Sequence, residues 1–168
     1  FSATAPKKAM ERASFLEAPE IIRVEGEPAA ESVVEHSYVM TPFREKIAEV
    51  RKLTRRLGVK RGIVFINRTF DAVRTLEKLS YENIRATALL GQQGKQARAK
   101  ALQDFRTGKA TLLLSTDLAA RGLDIADVDT VFNLDLPEDA KTYLHRAGRT
   151  GRAGKEGRVI TLADMKEA

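Results

Sequence analysis

The 168-residue chain contains no cysteine and no tryptophan, and its only histidines are His36 and His145. Without cysteine it has no disulfide framework and no thiolate ligand, and two imidazoles leave little basis for a zinc site. No apolar run approaches the roughly 20 residues that cross a bilayer, and no charged segment followed by an apolar stretch opens the chain. We therefore expect no metal site, no membrane partner and an intracellular protein, with the cytoplasm favoured over an organelle or the nucleus.

The composition is typical of one soluble domain with a basic surface. Apolar residues make up 43% of the chain and charged residues 31%, both ordinary values for a globular protein. The net charge of +6 and the isoelectric point near 9.7 favour acidic partners, although a basic total alone is a weak sign of nucleic-acid binding. The charge is concentrated, since residues 43–61 hold eight Lys or Arg and two Glu. This basic helix face includes Arg51, Lys52, Arg55 and Arg56, and it either recruits a partner or RNA or is simply solvated.

From residue 32 onward, short apolar runs alternate with stretches of helical periodicity. The predicted strands are residues 33–40, 63–66, 86–89, 111–114, 130–134 and 159–162, and the predicted helices are residues 43–57, 69–79, 95–106 and 138–146. Thr41 and Pro42 resemble an N-cap and a first helical residue. The central runs lack polar alternation, as in strands buried on both faces. The pattern predicts a doubly wound α/β domain with a mostly parallel central sheet, in which the segments after Ile66, Leu114 and Leu134 carry function.

The most informative segment is the arginine string, His145-Arg146-Ala147-Gly148-Arg149-Thr150-Gly151-Arg152. It contains three arginines at spacings of three, and no carboxylate between His145 and Lys155 neutralises them. Arginine pairs bidentately with phosphate oxygens, and glycines allow positive φ and close approach of main-chain N–H groups to an anion. The string therefore predicts half of a phosphate-handling site. A solvated basic loop is the alternative interpretation, and His145 is interpreted as an interface residue.

Three further segments follow predicted strands and have both functional and structural interpretations. In residues 115–124, the Ser115 and Thr116 hydroxyls can donate to phosphate oxygens, and Asp124 can accept a hydrogen bond from a sugar hydroxyl. The structural alternative is that Asp117 caps a helix or pairs with Arg121 on the surface. Asn67 and Arg68 lie where a loop would leave the sheet, and Arg68 either contacts a phosphate or is an ordinary surface arginine. Residues 91–98, which include Gly91 and Arg98, lie between a predicted strand and a predicted helix and could bind an anion at the helix N-terminus. Their spacing does not match a phosphate loop.

Taken together, these strings resemble the second RecA-like domain of a DEAD-box ATP-dependent RNA helicase. Residues 63–68, 115–124 and 145–152 are similar to the fourth, fifth and sixth motifs of that family, in the family's order. Ser2-Ala3-Thr4 is similar to the motif that closes the first domain, and the chain opens without Met. The resemblance therefore implies that residues 1–31 are the tail of a preceding RecA-like domain plus a linker. It also implies that residues 32–168 are a C-terminal RecA-like domain, with three layers and helices flanking the sheet.

The resemblance also implies roles for individual residues. Arg149 and Arg152 match the catalytic arginines that reach the γ-phosphate of ATP, and Asp124 matches a ribose contact. His145, Arg146 and Arg121 match the interface between the two domains. The residues that match RNA-backbone contacts are Asn67, Arg68, Gly91, Arg98 and Thr116. Near Arg98 the chain departs from the family pattern, because Leu90-Gly91 stands where His-Gly is common and Lys95 where Gln is common.

On this reading the chain is half of an RNA-stimulated ATP hydrolase that separates short duplexes. ATP with Mg²⁺ would bind mainly to the N-terminal RecA-like domain of the same polypeptide, and single-stranded RNA would be the other partner. The isolated chain is expected to be inactive. Two alternatives stay open at this point, a non-catalytic basic module that binds RNA or a protein, and the matching half of a DNA translocase.

Overall fold

The computed structural model describes residues 34–120, 125 and 127–167, and the predictions for residues 1–31 concern residues outside this part. The strands are β1 (Val34–Met40), β2 (Gly62–Phe65), β3 (Ala86–Leu89), β4 (Leu112–Ser115), β5 (Thr130–Asn133) and β6 (Gly157–Ala163). The α-helices are α1 (Lys46–Arg56), α2 (Phe70–Tyr81), α3 (Lys95–Arg106), α4 (Asp117–Ala120) and α5 (Ala140–Ala147). Short 3₁₀ turns occupy Phe43–Glu45 and Arg152–Gly154. Within these residues no helix is long and apolar enough to cross a membrane.

The six strands form one sheet in the order β1-β6-β5-β2-β4-β3, and every pairing is parallel. The predicted α/β class and parallel sheet are therefore confirmed. Strands β2, β4 and β5 are buried along their whole length, as their unbroken apolar runs predict. Each strand ends within a residue or two of its predicted limit, and the short strand at 86–89 and the helix at 95–106 match their predictions at both ends.

Two apolar clusters cover the two faces of the sheet. One contains Val64, Ile66 and Leu114 with the inner sides of α1 and α2. The other contains Ile63, Phe65 and Leu113 with Phe105 of α3 and Ala119 of α4. Because successive strand residues point to opposite faces, an uninterrupted apolar run supplies both clusters. This arrangement leaves the ends of the strands as the places where polar side chains gather.

The start of α1 differs from the prediction. Pro42 has φ −56° and ψ 140°, which is not helical, and it rather than Thr41 occupies the cap position, without a side-chain capping bond. Instead the C-terminal turn closes this end, since the carboxylate of Asp164 accepts the Phe43 N–H at 2.7 Å. Lys46, a residue only 1% exposed, pairs through its ammonium group with Glu167 at 2.6 Å. Long-range contacts thus replace the local cap that the sequence predicts.

Candidate nucleotide and RNA interface

The carboxyl ends of β2, β4 and β3 lie side by side and bring the predicted RNA-binding residues to one edge. The Ile66 N–H donates to the Ser115 carbonyl at 3.0 Å, which aligns the segments that leave β2 and β4. Asn67 and Arg68 follow β2, Gly91 follows β3 and Thr116 follows β4. We call this group, together with Arg98, the carboxyl-edge group. Ligands of parallel α/β sheets typically bind at such an edge.

Three members of the carboxyl-edge group surround the short helix α4. Arg98, on α3, donates from Nη2 to the carbonyl of Ala119 at 3.0 Å. The Thr116 hydroxyl accepts the Ala119 N–H at 3.4 Å, so it caps α4. A Cβ built on Gly91 would lie 3.9 Å from Leu118. The structure therefore places Gly91, Arg98 and Thr116 together, as the sequence predicts, although two of their side chains also have structural contacts.

Asn67 and Arg68 differ in how far their side chains are engaged. The Asn67 side-chain amide donates to the Leu136 carbonyl at 3.0 Å, and its main-chain N–H donates to the Asp135 carboxylate at 2.8 Å. Arg68 is exposed, and its guanidinium lies 5.9 Å from the centre of the Phe70 ring. Arg68 is therefore presented to solvent, whereas Asn67 mainly holds the β2 and β5 loops together.

Arg146 is the buried centre of the polar contacts at this edge. Its side chain is 1% exposed and comes from the last turn of α5. Its partners are both oxygens of Asp117 (2.9 and 2.7 Å), the Asp135 carbonyl (2.7 Å), the Asn67 side-chain oxygen (2.8 Å) and the Asn133 side-chain oxygen (3.3 Å). The guanidinium also lies 5.0 Å from the centre of the Phe65 ring. One planar fork thus joins the ends of β2, β4 and β5 to α5.

Two residues near this edge, Ser115 and Asp117, make contacts that differ from the sequence-based predictions. Ser115 was expected to face a phosphate, but it is 1% exposed and its hydroxyl donates to the Leu89 carbonyl at 3.2 Å. That expectation was wrong, because strand β4 continues through Ser115. Asp117 was expected to act as an N-cap or to pair with Arg121, but it is the first residue of α4 and pairs with Arg146, 29 positions away. No local pattern marks so distant a pair.

Arg149 and Arg152 lie beyond the end of α5, where the chain turns toward β6. Gly151, between the two arginines, has φ +66°, as predicted for a glycine of the string, whereas Gly148 has φ −65°. Gly154, two residues after Arg152, has φ +74°. Arg149 is half-buried, and this burial, with the nearby Arg152 charge as the second cause, lowers the pKa of its guanidinium. A partly desolvated cation, Arg149, thus lies close to the exposed cation Arg152, an arrangement that a phosphate oxygen stabilises.

The comparison with known families decides how these observations are interpreted. The profile of the helicase conserved C-terminal domain matches residues 45–154, which include the carboxyl-edge group and both arginines. The chain belongs to this family. The sequence resemblance to DEAD-box proteins, the RecA-like fold and the helicase family are therefore confirmed.

Relatives and solved structures place this helicase C-terminal domain among DEAD-box proteins. It is 40% identical over 168 residues to the DEAD-box ATP-dependent RNA helicase CshC of Bacillus cereus, covering 99% of the chain and 43% of the relative. The structure of Escherichia coli SrmB bound to regulator of ribonuclease activity A has a TM-score of 0.74 at 34% identity, covering 79% and 78% of the two chains. Saccharomyces cerevisiae Dbp5 bound to RNA and ADP BeF3 has a TM-score of 0.78 at 28% identity, covering 99% and 45%.

The helicase C-terminal domain spans less than half the length of the first curated relatives it matches, 43% of one and 44% of another. The activity and partners of the whole protein therefore remain proposals. The roles predicted for individual residues also stay predictions. Arg121 and Asp124 lie outside the described residues, and His145 is exposed on α5. Arg146, predicted to lie between domains, is committed to contacts within this one.

Within residues 34–120, 125 and 127–167, no group of three or more His, Asp or Glu side chains is arranged to hold a metal ion. Two of the described carboxylates near the arginines have basic partners. Asp127 pairs with Lys155, which lowers the Asp127 pKa, and Asp117 pairs with Arg146. The described side chains of the helicase C-terminal domain thus fit phosphate groups better than a magnesium ion.

The turn between Arg149 and Arg152 rests directly on Gly157. A Cβ built on Gly157 would lie 2.4 Å from the Thr150 hydroxyl and 2.6 Å from the Gly151 nitrogen. Thr150 is itself fixed, because its hydroxyl donates to the Val128 carbonyl at 2.6 Å. The spacing of the two arginines therefore depends on a glycine outside the arginine string.

Replacement of Gly157 by alanine should lower the free energy of unfolding by about 1–3 kcal/mol, because the added methyl group meets backbone that cannot move cheaply. Urea denaturation followed by circular dichroism measures the change. Gly91→Ala is the matched control and should change the free energy of unfolding by less than about 0.5 kcal/mol, because its methyl group would meet nothing closer than 3.9 Å. Equal stabilities of the two variants would show that the turn tolerates the methyl group.

Proposed function

We propose that this chain is the C-terminal half of an ATP-dependent RNA helicase. It would supply Arg149 and Arg152 to the γ-phosphate of ATP bound on an N-terminal domain, and it would hold the backbone of single-stranded RNA at the carboxyl-edge group. Family membership, the names of the relatives and the Dbp5 structure with RNA and ADP BeF3 support this proposal. ATP hydrolysis would then be coupled to local separation of a duplex.

The observation that carries the proposal is the placement of Arg149 and Arg152. A half-buried guanidinium beside a second one loses hydration and feels like-charge repulsion, as the lowered Arg149 pKa indicates. An anion relieves both costs, and it does so most effectively as phosphate charge develops in the transition state. ATP with Mg²⁺ would supply the phosphoryl group for transfer. This chain would contribute the two guanidiniums that stabilise the charge on that group.

The RNA half of the proposal rests on the carboxyl-edge group. Arg68 follows β2 and Thr116 follows β4, and Arg98 reaches the same edge from α3 by its bond to the Ala119 carbonyl. Such donors can contact phosphates of one RNA strand. These side chains would donate to the RNA backbone and not to the bases, so we expect little sequence specificity. The chain has no tryptophan, which argues against an extensive stacking platform.

Arg146 would couple the two halves of the site. It contacts Asn67 and Asp117, which lie at the start of the RNA-facing loops. Its carbonyl also accepts the main-chain N–H of Arg149, three positions later, at 3.1 Å. A shift of the β2 and β4 loops on RNA binding would therefore be transmitted to the end of α5. RNA would set the position of the arginine pair, and closure against the ATP-bearing domain would complete the catalytic arrangement.

ATP hydrolysis by the full-length parent, with and without single-stranded RNA, tests the proposal. We expect RNA to stimulate turnover, and we expect the 168-residue chain alone to show no turnover above the background rate. Substantial turnover by the chain alone would contradict the division of labour between two domains. Stimulation by DNA equal to that by RNA, at the same length and salt concentration, would instead favour a DNA translocase.

A further inference from the structure

A second concentration of positive charge lies at the opposite, amino-terminal edge of the sheet. Arg61 immediately precedes β2, Arg85 immediately precedes β3, and Lys109 stands three residues before β4. Main-chain bonds hold these entries side by side, because Gly62 N–H donates to the Thr111 carbonyl at 2.9 Å and Thr111 N–H donates to the Arg85 carbonyl at 2.7 Å. Neighbouring strands are about 4.8 Å apart, so Arg61 and Arg85 are about two strand spacings apart.

Helix ends extend this basic edge onto both faces of the sheet. Arg56 is the last residue of α1 and Arg106 the last residue of α3. The guanidinium of Arg61 donates to the Arg106 carbonyl, which joins the β2 entry to the end of α3. We call the following residues the amino-edge patch: Arg56, Lys60, Arg61, Arg85, Arg106 and Lys109.

The carboxylates at this edge leave much of the positive charge uncompensated. Glu82 pairs with Arg51, Asp127 pairs with Lys155 and Arg61, and Asp129 accepts the main-chain N–H groups of Lys60 and Arg61 at 2.9 Å each. Within the described part of the chain, no ion pair involves the side chains of Arg56, Lys60, Arg85 or Lys109, and all four residues are exposed. Most of the patch therefore faces solvent with its charge intact.

Capping of helix ends does not account for these four cations. Basic side chains near a helix C-terminus often bond its last carbonyls and complement its dipole. Arg55 acts in this way on the Glu82 carbonyl, and Arg61 on the Arg106 carbonyl. Within the described residues, the side chains of Arg56, Lys60, Arg85 and Lys109 make no such bond. Binding of a polyanion therefore explains their shared location better than helix capping does.

We propose that the amino-edge patch is a second binding surface for the phosphate backbone of single-stranded RNA. The row from Arg61 to Arg85 is about 10 Å long, which is enough to contact more than one phosphate of a single strand. Tyr81, 89% exposed, ends α2 at this edge and offers a ring on which a base can stack. It is the one large exposed apolar side chain that the described residues place here, and a protein partner usually requires several such anchors.

The two edges of the sheet are separated by four-residue strands, about 13 Å long. RNA bound at the amino-edge patch is therefore distinct from RNA in the carboxyl-edge group. The patch would raise the affinity for long RNA without itself completing the hydrolytic site. This proposal does not require the ATP-related roles of Arg149 and Arg152.

Fluorescence anisotropy of a labelled single-stranded RNA of about 20 nucleotides, titrated with the 168-residue chain at several salt concentrations, tests the proposal. We expect Arg85→Glu combined with Lys109→Glu to weaken binding at least about tenfold and to reduce the salt slope by about 1.4, because two phosphate contacts are lost. The control Lys100→Glu with Lys166→Glu makes the same charge change at exposed positions on α3 and near the C-terminus. It should alter the affinity less than about twofold.

Two further arms keep the result interpretable. Arg85→Gln with Lys109→Gln repeats the test with a gentler change, in case charge reversal impairs folding, and it should also weaken binding. Arg98→Ala probes the carboxyl-edge group separately. If Arg98→Ala weakens binding but neither amino-edge variant does, RNA is confined to the carboxyl edge and this proposal is overturned while the proposed function stands. Unchanged RNA binding with weakened binding of poly-glutamate would also overturn it and would assign the patch to an acidic protein.

Discussion

Replacement of Arg152 by alanine in the full-length parent should reduce RNA-stimulated ATP hydrolysis by about 10³-fold or more, the magnitude associated with arginine fingers. Arg152 follows the Gly151 turn, and its charge affects Arg149. Its Nε also donates to the Gly148 carbonyl at 2.9 Å, which orients the side chain. A side chain oriented before ATP arrives stabilises developing phosphate charge without reorganisation. Loss of the guanidinium therefore removes stabilisation of the transition state rather than of the bound substrate.

Steady-state turnover and equilibrium ATP binding, measured on the same preparation, separate the two effects. We expect turnover to collapse while ATP affinity changes less than about tenfold, because the proposed interaction forms mainly in the transition state. Arg152→Lys should also be strongly impaired, since an ammonium group is a point charge without the planar fork. Arg74→Ala, an exposed arginine on α2, is the matched control and should retain wild-type turnover. Unaffected turnover with weakened RNA binding in Arg152→Ala would make the arginine string a binding patch.

Replacement of Arg146 by alanine should lower the free energy of unfolding by about 3 kcal/mol or more, the range for breaking a buried ion pair. The change leaves Asp117 without its bidentate partner, and it also removes the donors for Asn67 and Asn133 and for the Asp135 carbonyl. Asp117 retains 30% side-chain exposure, so water partly compensates and the lower end of that range is expected. For a domain of this size the thermal midpoint should fall by about 6–12 °C.

Urea and thermal denaturation of the 168-residue chain measure this effect. Arg158→Ala is the matched control, because Arg158 pairs with Glu35 at 3.8 Å on the surface, where the two side chains are 41% and 69% exposed. Such a pair contributes less than about 1 kcal/mol. Arg146→Lys should fall between wild type and Arg146→Ala, since an ammonium group retains the charge but cannot serve all five acceptors. If Arg146→Ala unfolds at the same urea concentration as Arg158→Ala, the buried contacts add no net stability.

The arginine string illustrates how far sequence reasoning extended. Residue type and spacing grouped Arg146, Arg149 and Arg152 as one phosphate-handling unit, and the family resemblance then assigned Arg146 to the interface between domains. The structure assigns them different surroundings, since Arg146 is 1% exposed and bonded within the domain whereas Arg152 is exposed. Burial depends on what packs above the end of α5, and no local pattern of three-residue spacing contains that information.

The sequence by itself determined the class of fold, the places of the strands and helices, and the family. Periodicity and apolar runs are local properties, and they set which segments are buried on two faces and which on one. Only the tertiary structure decided the partners of Asp117 and Ser115, the dependence of the arginine turn on Gly157, and the grouping of basic residues at the amino edge. These features join residues that are far apart in the chain, so they arise only when parallel strands align their ends and place distant loops side by side.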